Sequence, residues 1–101
     1  MSWEKAKNLI QQGSIPIGTV DRKGNQLRQF DMVIVDINSR KVNLEILYQP
    51  EIDEFVAADR HGIWVYYNDL SRAVLKVEHK NGLRPKQSDI GELIEGYSHG
   101  N

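Results

Sequence analysis

Phe30-Asp-Met-Val-Ile-Val-Asp-Ile37, Asn38-Ser-Arg-Lys41 and Val42-Asn-Leu-Glu-Ile-Leu-Tyr48 follow one another without a break, and they read as two strands around one polar turn. With Ser39-Arg40 as the turn, Ile37 faces Val42, Val35 faces Leu44 and Val33 faces Ile46, which stacks three apolar cross-strand pairs on one face. The other face then pairs Asp36 with Asn43, Ile34 with Glu45 and Met32 with Leu47, wet near the turn and drier away from it. A slip of one residue would set Val33, Val35 and Ile37 against Asn43, Glu45 and Leu47, so the pattern specifies the register. This hairpin is the expected centre of the core.

The 101 residues suffice for one modest core and are too few for two. Apolar residues make up 40% and charged residues 27%, with both signs interleaved, a globular composition and not that of a disordered chain. Thirteen Lys and Arg against fourteen Asp and Glu leave a net charge of -1, so no global field draws the chain to nucleic acid or anionic lipid. Any such binding needs a local patch. Cysteine is absent, which excludes disulfides, thiolate nucleophiles and thiolate metal sites. The N-terminus lacks an apolar signal core, and no apolar run nears the roughly 20 residues that cross a bilayer. A soluble cytoplasmic protein is the expectation.

Outside the central hairpin the chain divides at its glycines. Ser2 can cap a helix running from Trp3 to Gln12, with Trp3, Ala6, Leu9 and Ile10 near one face and Gly13 as the stop. Ten residues form a marginal helix in isolation, so that face must dock. Ile15-Pro-Ile-Gly-Thr-Val20 reads as an edge or bulged strand, because Pro16 cannot donate to a ladder and Gly18 weakens it. It ends in Asp21-Arg-Lys-Gly24, and Phe55-Val-Ala-Ala58 ends in the similar Asp59-Arg-His-Gly62. Both read as hairpin turns in which Asp accepts backbone hydrogen bonds and Gly takes the left-handed position. In the second, Asp59 against Ile63 sets Ala57 against Val65 and Ala58 against Trp64. A polar turn from Tyr66 to Leu70 precedes the last core strand, Ala73–Val77, with Ala73, Leu75 and Val77 on one face. Beyond it come an Asn81-Gly82 turn, a short helix that Ser88 can cap through Glu95, and a frayed tail from Tyr97.

The expected fold is a single mainly β domain. A short N-terminal helix (1–13) precedes a small, strongly curved antiparallel sheet or partly open barrel of five or six strands (14–78), followed by an extension (79–101) that can hold one short helix. With Phe30-Asp31-Met32-Val33-Ile34-Val35 opening it, Gly62-Ile63-Trp64-Val65 later, and a short turn ending at Leu70 before the closing strand, the segment Phe30–Val77 resembles the small barrels of the Src-homology-three-like group, KOW and Tudor-type modules included. Those modules often carry Gly before the Asp, where this chain has Phe30. The resemblance is one of fold pattern and implies no particular activity.

No catalytic or metal pattern emerges. Asp59, Arg60 and His61 could form an acid-base cluster, but no serine is placed beside them by local structure, and a solvated turn explains them. His61, His79 and His99 do not recur at ligand spacing, and Glu51, Asp53 and Glu54 lack the glycine-punctuated order of a calcium loop. Neither cofactor nor metal is implied.

Aromatic residues carry more. On an alternating strand Trp64 and Tyr66 share one face while Val65 and Tyr67 share the other, so either a ring lies at the surface or Trp64 and Tyr66 join Tyr48 and Phe55 in the core. Because hairpins alternate ends, Arg40-Lys41 and Arg60-His61 should share one end of the sheet. Arg22-Lys23, the connection Glu51–Glu54 and Asn68-Asp69 should share the other. The function expected first is a non-catalytic protein-interaction module, a regulator, inhibitor or assembly factor, that meets another protein through Trp64, Tyr66, Tyr67, Arg60, Arg40 and Lys41. A nucleic-acid-binding barrel using the basic end is the second reading and small-ligand binding the third. No membrane association is expected, and monomer and homodimer both stay open.

Overall fold

The computed structural model describes residues 2–79 as α1 (Ser2–Gln11), β1 (Pro16–Val20), β2 (Gln26–Arg28), β3 (Met32–Ile37), β4 (Arg40–Gln49), β5 (Glu54–Asp59), β6 (Gly62–Val65), a 3-10 turn (Tyr67–Asp69), α2 (Leu70–Ala73) and β7 (Val74–His79). The Asn81-Gly82 turn, the helix after Ser88 and the tail from Tyr97 lie outside the described residues. β3 to β6 form an antiparallel meander, and β7 returns to pair with β3, giving the order β6-β5-β4-β3-β7. β6 and β7 occupy opposite edges, so the sheet is open and does not close into a barrel. β1 and β2 form a separate two-stranded sheet.

The central hairpin forms, but its turn is Asn38-Ser39 rather than Ser39-Arg40. Both turn residues have positive φ, 53° and 66°, the conformation of a two-residue loop whose twist matches that of its strands. Ile37 therefore faces Arg40, Val35 faces Val42 and Val33 faces Leu44. The displacement is two residues. Since side chains alternate with a period of two, the face assignment survives, and Val33, Val35, Leu44 and Ile46 are all buried on one side. Ala57, Val65 and Val74 extend that face to the other strands, and Ile17 and Leu27 of the small sheet, with Leu70 of α2, pack over it.

Both Asp-to-Gly turns form as expected. Asp21 is buried, and its Oδ1 accepts the amides of Lys23 at 2.8 Å and Asn25 at 2.9 Å, while Gly24 has φ 85°. In the second, Asp59 Oδ1 accepts the His61 amide at 2.8 Å and Gly62 has φ 126°. Asp59 pairs with Gly62 rather than Ile63, and Ala58 with Ile63 rather than Trp64. The Ala57–Val65 pair is as expected, so the extra residue, Trp64, is accommodated by a bulge. Space around Gly62 is open to a β-carbon, which leaves backbone strain as the only obstacle there. Gly62→Val should therefore cost about 1 to 2 kcal/mol in chemical denaturation, and a cost indistinguishable from zero would remove the left-handed assignment.

A second bulge reshapes the last strand. Val77 pairs with Val33 and Val74 with Val35, with an irregularity between Ile34 and Val35. Two residues three apart thus meet the same core, and the expected alternation of Ala73, Leu75 and Val77 fails. Ala73 ends α2 instead, and Leu75 is half-buried beside Lys76 on the outer side. A third irregularity precedes β3. Phe30 has φ 71°, costly for a residue with a β-carbon, and is held there by its buried ring and by its amide donating to Ile46 O at 2.8 Å. The Ile46 amide donates in turn to Asp31 O at 2.9 Å, and Asp31 Oδ2 accepts the Arg28 amide at 2.9 Å.

α1 buries Ala6 and Ile10 as its spacing predicts, with Trp3 and Leu9 half-buried. Gly13, at φ 76°, donates its amide to Ile10 O and ends the helix. Lys5 reaches from the helix to Asp53 at 2.8 Å and lies 5.6 Å from the Tyr48 ring centre. Among the described residues no helix is long and apolar enough to cross a membrane.

Candidate interaction surfaces

β6 is a sheet edge, and the two most exposed aromatic rings among the described residues lie on it, Trp64, and immediately after it, Tyr66. Val65 points into the core between Trp64, 41% exposed, and Tyr66, 51% exposed. The alternative in which these rings join Tyr48 and Phe55 in the core does not occur, since both are exposed, while Tyr48 and Phe55 pair with each other across β4 and β5, edge to face at 5.4 Å between centres. Tyr67 belongs to the interior side. It is half-buried, and its hydroxyl donates to Ile17 O at 2.9 Å, tying the 3-10 turn to β1. A β-carbon at Gly18 would stand 2.9 Å from that hydroxyl, so glycine there permits the close approach. Asp59 Oδ1 accepts the His61 amide at 2.8 Å, and its carboxyl is held below the ordinary range, the nearby Trp64 indole being the main cause. Asp59 opens the turn that leads into β6. Arg60 and His61 occupy the exposed tip of that turn, with Arg60 Nε 3.5 Å from His61 Nε2.

The acidic connection after β4 is structural. Asp53 accepts from Lys5 and from the Tyr48 hydroxyl, which together hold its carboxyl below the ordinary range. Among the described residues no group of three carboxylate or imidazole side chains is placed to hold a metal.

Basic residues are distributed differently from the expectation. Arg40-Lys41 and Arg60-His61 do lie at one end of the meander, following the alternation of hairpins. Arg22-Lys23 does not lie at the opposite end. The Arg22 amide donates to Val74 O at 2.9 Å, its Nη2 is 3.7 Å from Asp36 Oδ2, and its Nε donates to Arg72 O. β1 and β2 belong to their own sheet, so the alternation rule does not reach across to them, and packing carries their turn onto the outer side of β3 and β7. Arg22, Lys23, Lys41 and Lys76 thereby bound one open groove of about 400 Å³, with Ile34 and Leu75 completing its lining. Lys76 in this role was invisible in the sequence, where it is one lysine in an alternating strand. Its pairing with Ile34 is what places it.

On the same outer face Glu45 sits between Met32 and Ala58, and burial pushes its carboxyl above the ordinary range. Protonated Glu45 is better tolerated in the folded state, so this residue's contribution to stability falls as pH rises through that window. No protein-family model matches the chain, and no similar curated protein or solved structure was found.

Proposed function

We propose that this is a non-catalytic protein-interaction module whose contact surface is the β6 edge, with Trp64 and Tyr66 as anchors and Arg60 at the rim. One observation carries the reading: Trp64 on the β6 edge and Tyr66 just after it are both exposed, while Val65 between them is buried. Large, rigid aromatics beside arginine are the residues that dominate binding energy at protein interfaces. The fold reading that accompanies this proposal is an opened Src-homology-three-like barrel. It is supported by the strand order, by the 3-10 turn before the last strand, and by the left-handed backbone of Phe30 where such modules often place glycine.

The test uses a protein partner purified after capture by the intact chain. Trp64→Ala should weaken its binding at least roughly tenfold, and Trp64→Phe less. Unchanged amide spectra in β3 and β4 would show that the fold is intact. Arg40→Glu combined with Arg60→Glu should leave most of the affinity, and raising salt should change it little. Tight, salt-sensitive binding to RNA or DNA that the double charge reversal destroys would replace this reading with the nucleic-acid one.

A further inference from the structure

The groove on the outer side of β7, β3 and β4 is separate from the β6 edge. β6 and β7 are opposite edges of the sheet. Its walls are set by register: Lys76 pairs with Ile34 and Lys41 with Asp36, so both lysines stand on strands that flank β3. Arg22 and Lys23 close the groove from the β1–β2 turn, which the bond from the Arg22 amide to Val74 O holds against β7. Four cations therefore converge on a lining of two aliphatic side chains, in a protein of net charge -1. Of the four, Arg22 alone forms an ion pair among the described residues, with Asp36 at 3.7 Å. Lys23, Lys41 and Lys76 form no ion pair among the described residues.

We propose that this groove binds a phosphate-bearing ligand of nucleotide size. Convergent like charges repel one another, and a bound anion relieves that repulsion. A single carboxylate brings one negative charge and two acceptor oxygens, fewer than four cationic groups can engage. A phosphate monoester carries nearly two charges and three terminal oxygens, and lysines bind it as point charges without demanding a fixed fork geometry. Ile34 and Leu75 offer aliphatic surface to a sugar or the face of a base. A volume of about 400 Å³ lies within the usual range of small-ligand sites. Arg22 is the pre-positioned member, since its amide, its Nε and its Nη2 are all engaged by Val74, Arg72 and Asp36. A free nucleotide presents this group directly, whereas a single strand presents diesters with one charge and two free oxygens each, so more than one of them would have to enter the groove.

The experiment is an amide-shift titration of the whole chain with ADP, a short oligothymidine and a glutamate-rich peptide, each at low and at physiological salt. ADP should perturb Ile34, Lys41, Leu75 and Lys76, with a dissociation constant below about 1 mM at low salt. Lys41→Glu combined with Lys76→Glu should weaken it at least about tenfold, and the charge-neutral pair Lys41→Gln with Lys76→Gln should fall between. Asp36→Asn should tighten it by removing the competing carboxylate. Trp64→Ala should leave it unchanged, so this site can fail or stand independently of the β6 surface. A strand as the source would show as oligothymidine binding much more tightly than ADP, with a logarithmic salt slope of about -0.7 per phosphate. Comparable affinities would assign a free nucleotide. The proposal is overturned if neither phosphate probe perturbs these amides up to about 10 mM, if the glutamate peptide binds as well as ADP, or if the double glutamate variant binds ADP like the wild type.

Discussion

Leu44→Ala is expected to lower the unfolding free energy by about 3 kcal/mol. Leu44 is 1% exposed, pairs with Val33 across the central hairpin and packs in the cluster that also holds Val35, Ile46, Ala57 and Val74. Truncation removes buried methyl groups and leaves a cavity between strands that are hydrogen-bonded on both sides of β4. Such a ladder collapses poorly around a void, which places the expectation within the range for core leucines and well above that for surface substitutions. Urea denaturation followed by tryptophan fluorescence reads the loss directly, and an unchanged m-value would attribute it to the folded state. A loss below about 0.5 kcal/mol, the range of surface substitutions, would place Leu44 outside the core.

Gln29→Ala should cost about 2 kcal/mol and loosen α1 ahead of global unfolding. Gln29 is fully buried, and its side-chain Nε2 donates to Leu9 O and to Gly13 O, both at 2.6 Å. Leu9 lies in the last turn of the helix and Gly13 just beyond its end, and each carbonyl also accepts one backbone amide, from Gln12 at 3.1 Å and from Ile15 at 2.8 Å. One amide therefore fastens α1 to the segment before β3, and its own backbone amide donates to Ile15 O at 2.8 Å. Oε1 is buried without a hydrogen-bond donor among the described residues, so its removal offsets part of the loss. Native-state hydrogen exchange distinguishes the two parts of the prediction. Amides of Leu9 to Gly13 should exchange faster while those of β3 and β4 keep their protection relative to global stability. Equal acceleration throughout would mean that the helix and sheet unfold as one unit and that Gln29 is no local fastener.

The hydrophobic pattern was legible where its consequence is local. Alternation in Phe30–Tyr48 identified the buried face of β3 and β4. The Asp-to-Gly spacing identified both other turns, and the 3.6-residue period identified the buried side of α1. It failed where the backbone departs from strict alternation. Asn38 and Ser39 moved the turn by one residue and the pairing by two, since an Asn-Ser pair is a weaker signal for the left-handed loop than Asn-Gly. Bulges at Trp64 and before Val35 changed which residues oppose each other. A bulge is set by what the neighbouring strand and the layer above require, and neither is visible along one strand.

The two surfaces divide in the same way. That Val65 turns inward and Trp64 and Tyr66 outward follows from a period of two, and the sequence alone reduced the question to which face is core. Tertiary structure decided it, because only the packing of Val65 into the cluster of Val33, Val35, Leu44 and Ile46 shows which face of the strand is core. The basic groove was outside the reach of the sequence altogether. Its cations come from residues 22, 23, 41 and 76, on three separate elements. What brings them together is the packing of one small sheet over the edge of another. Local propensity and alternation specify strands, turns and their faces, whereas the meeting of distant side chains depends on how those pieces stack, which is a property of the whole chain's burial and not of any stretch of it.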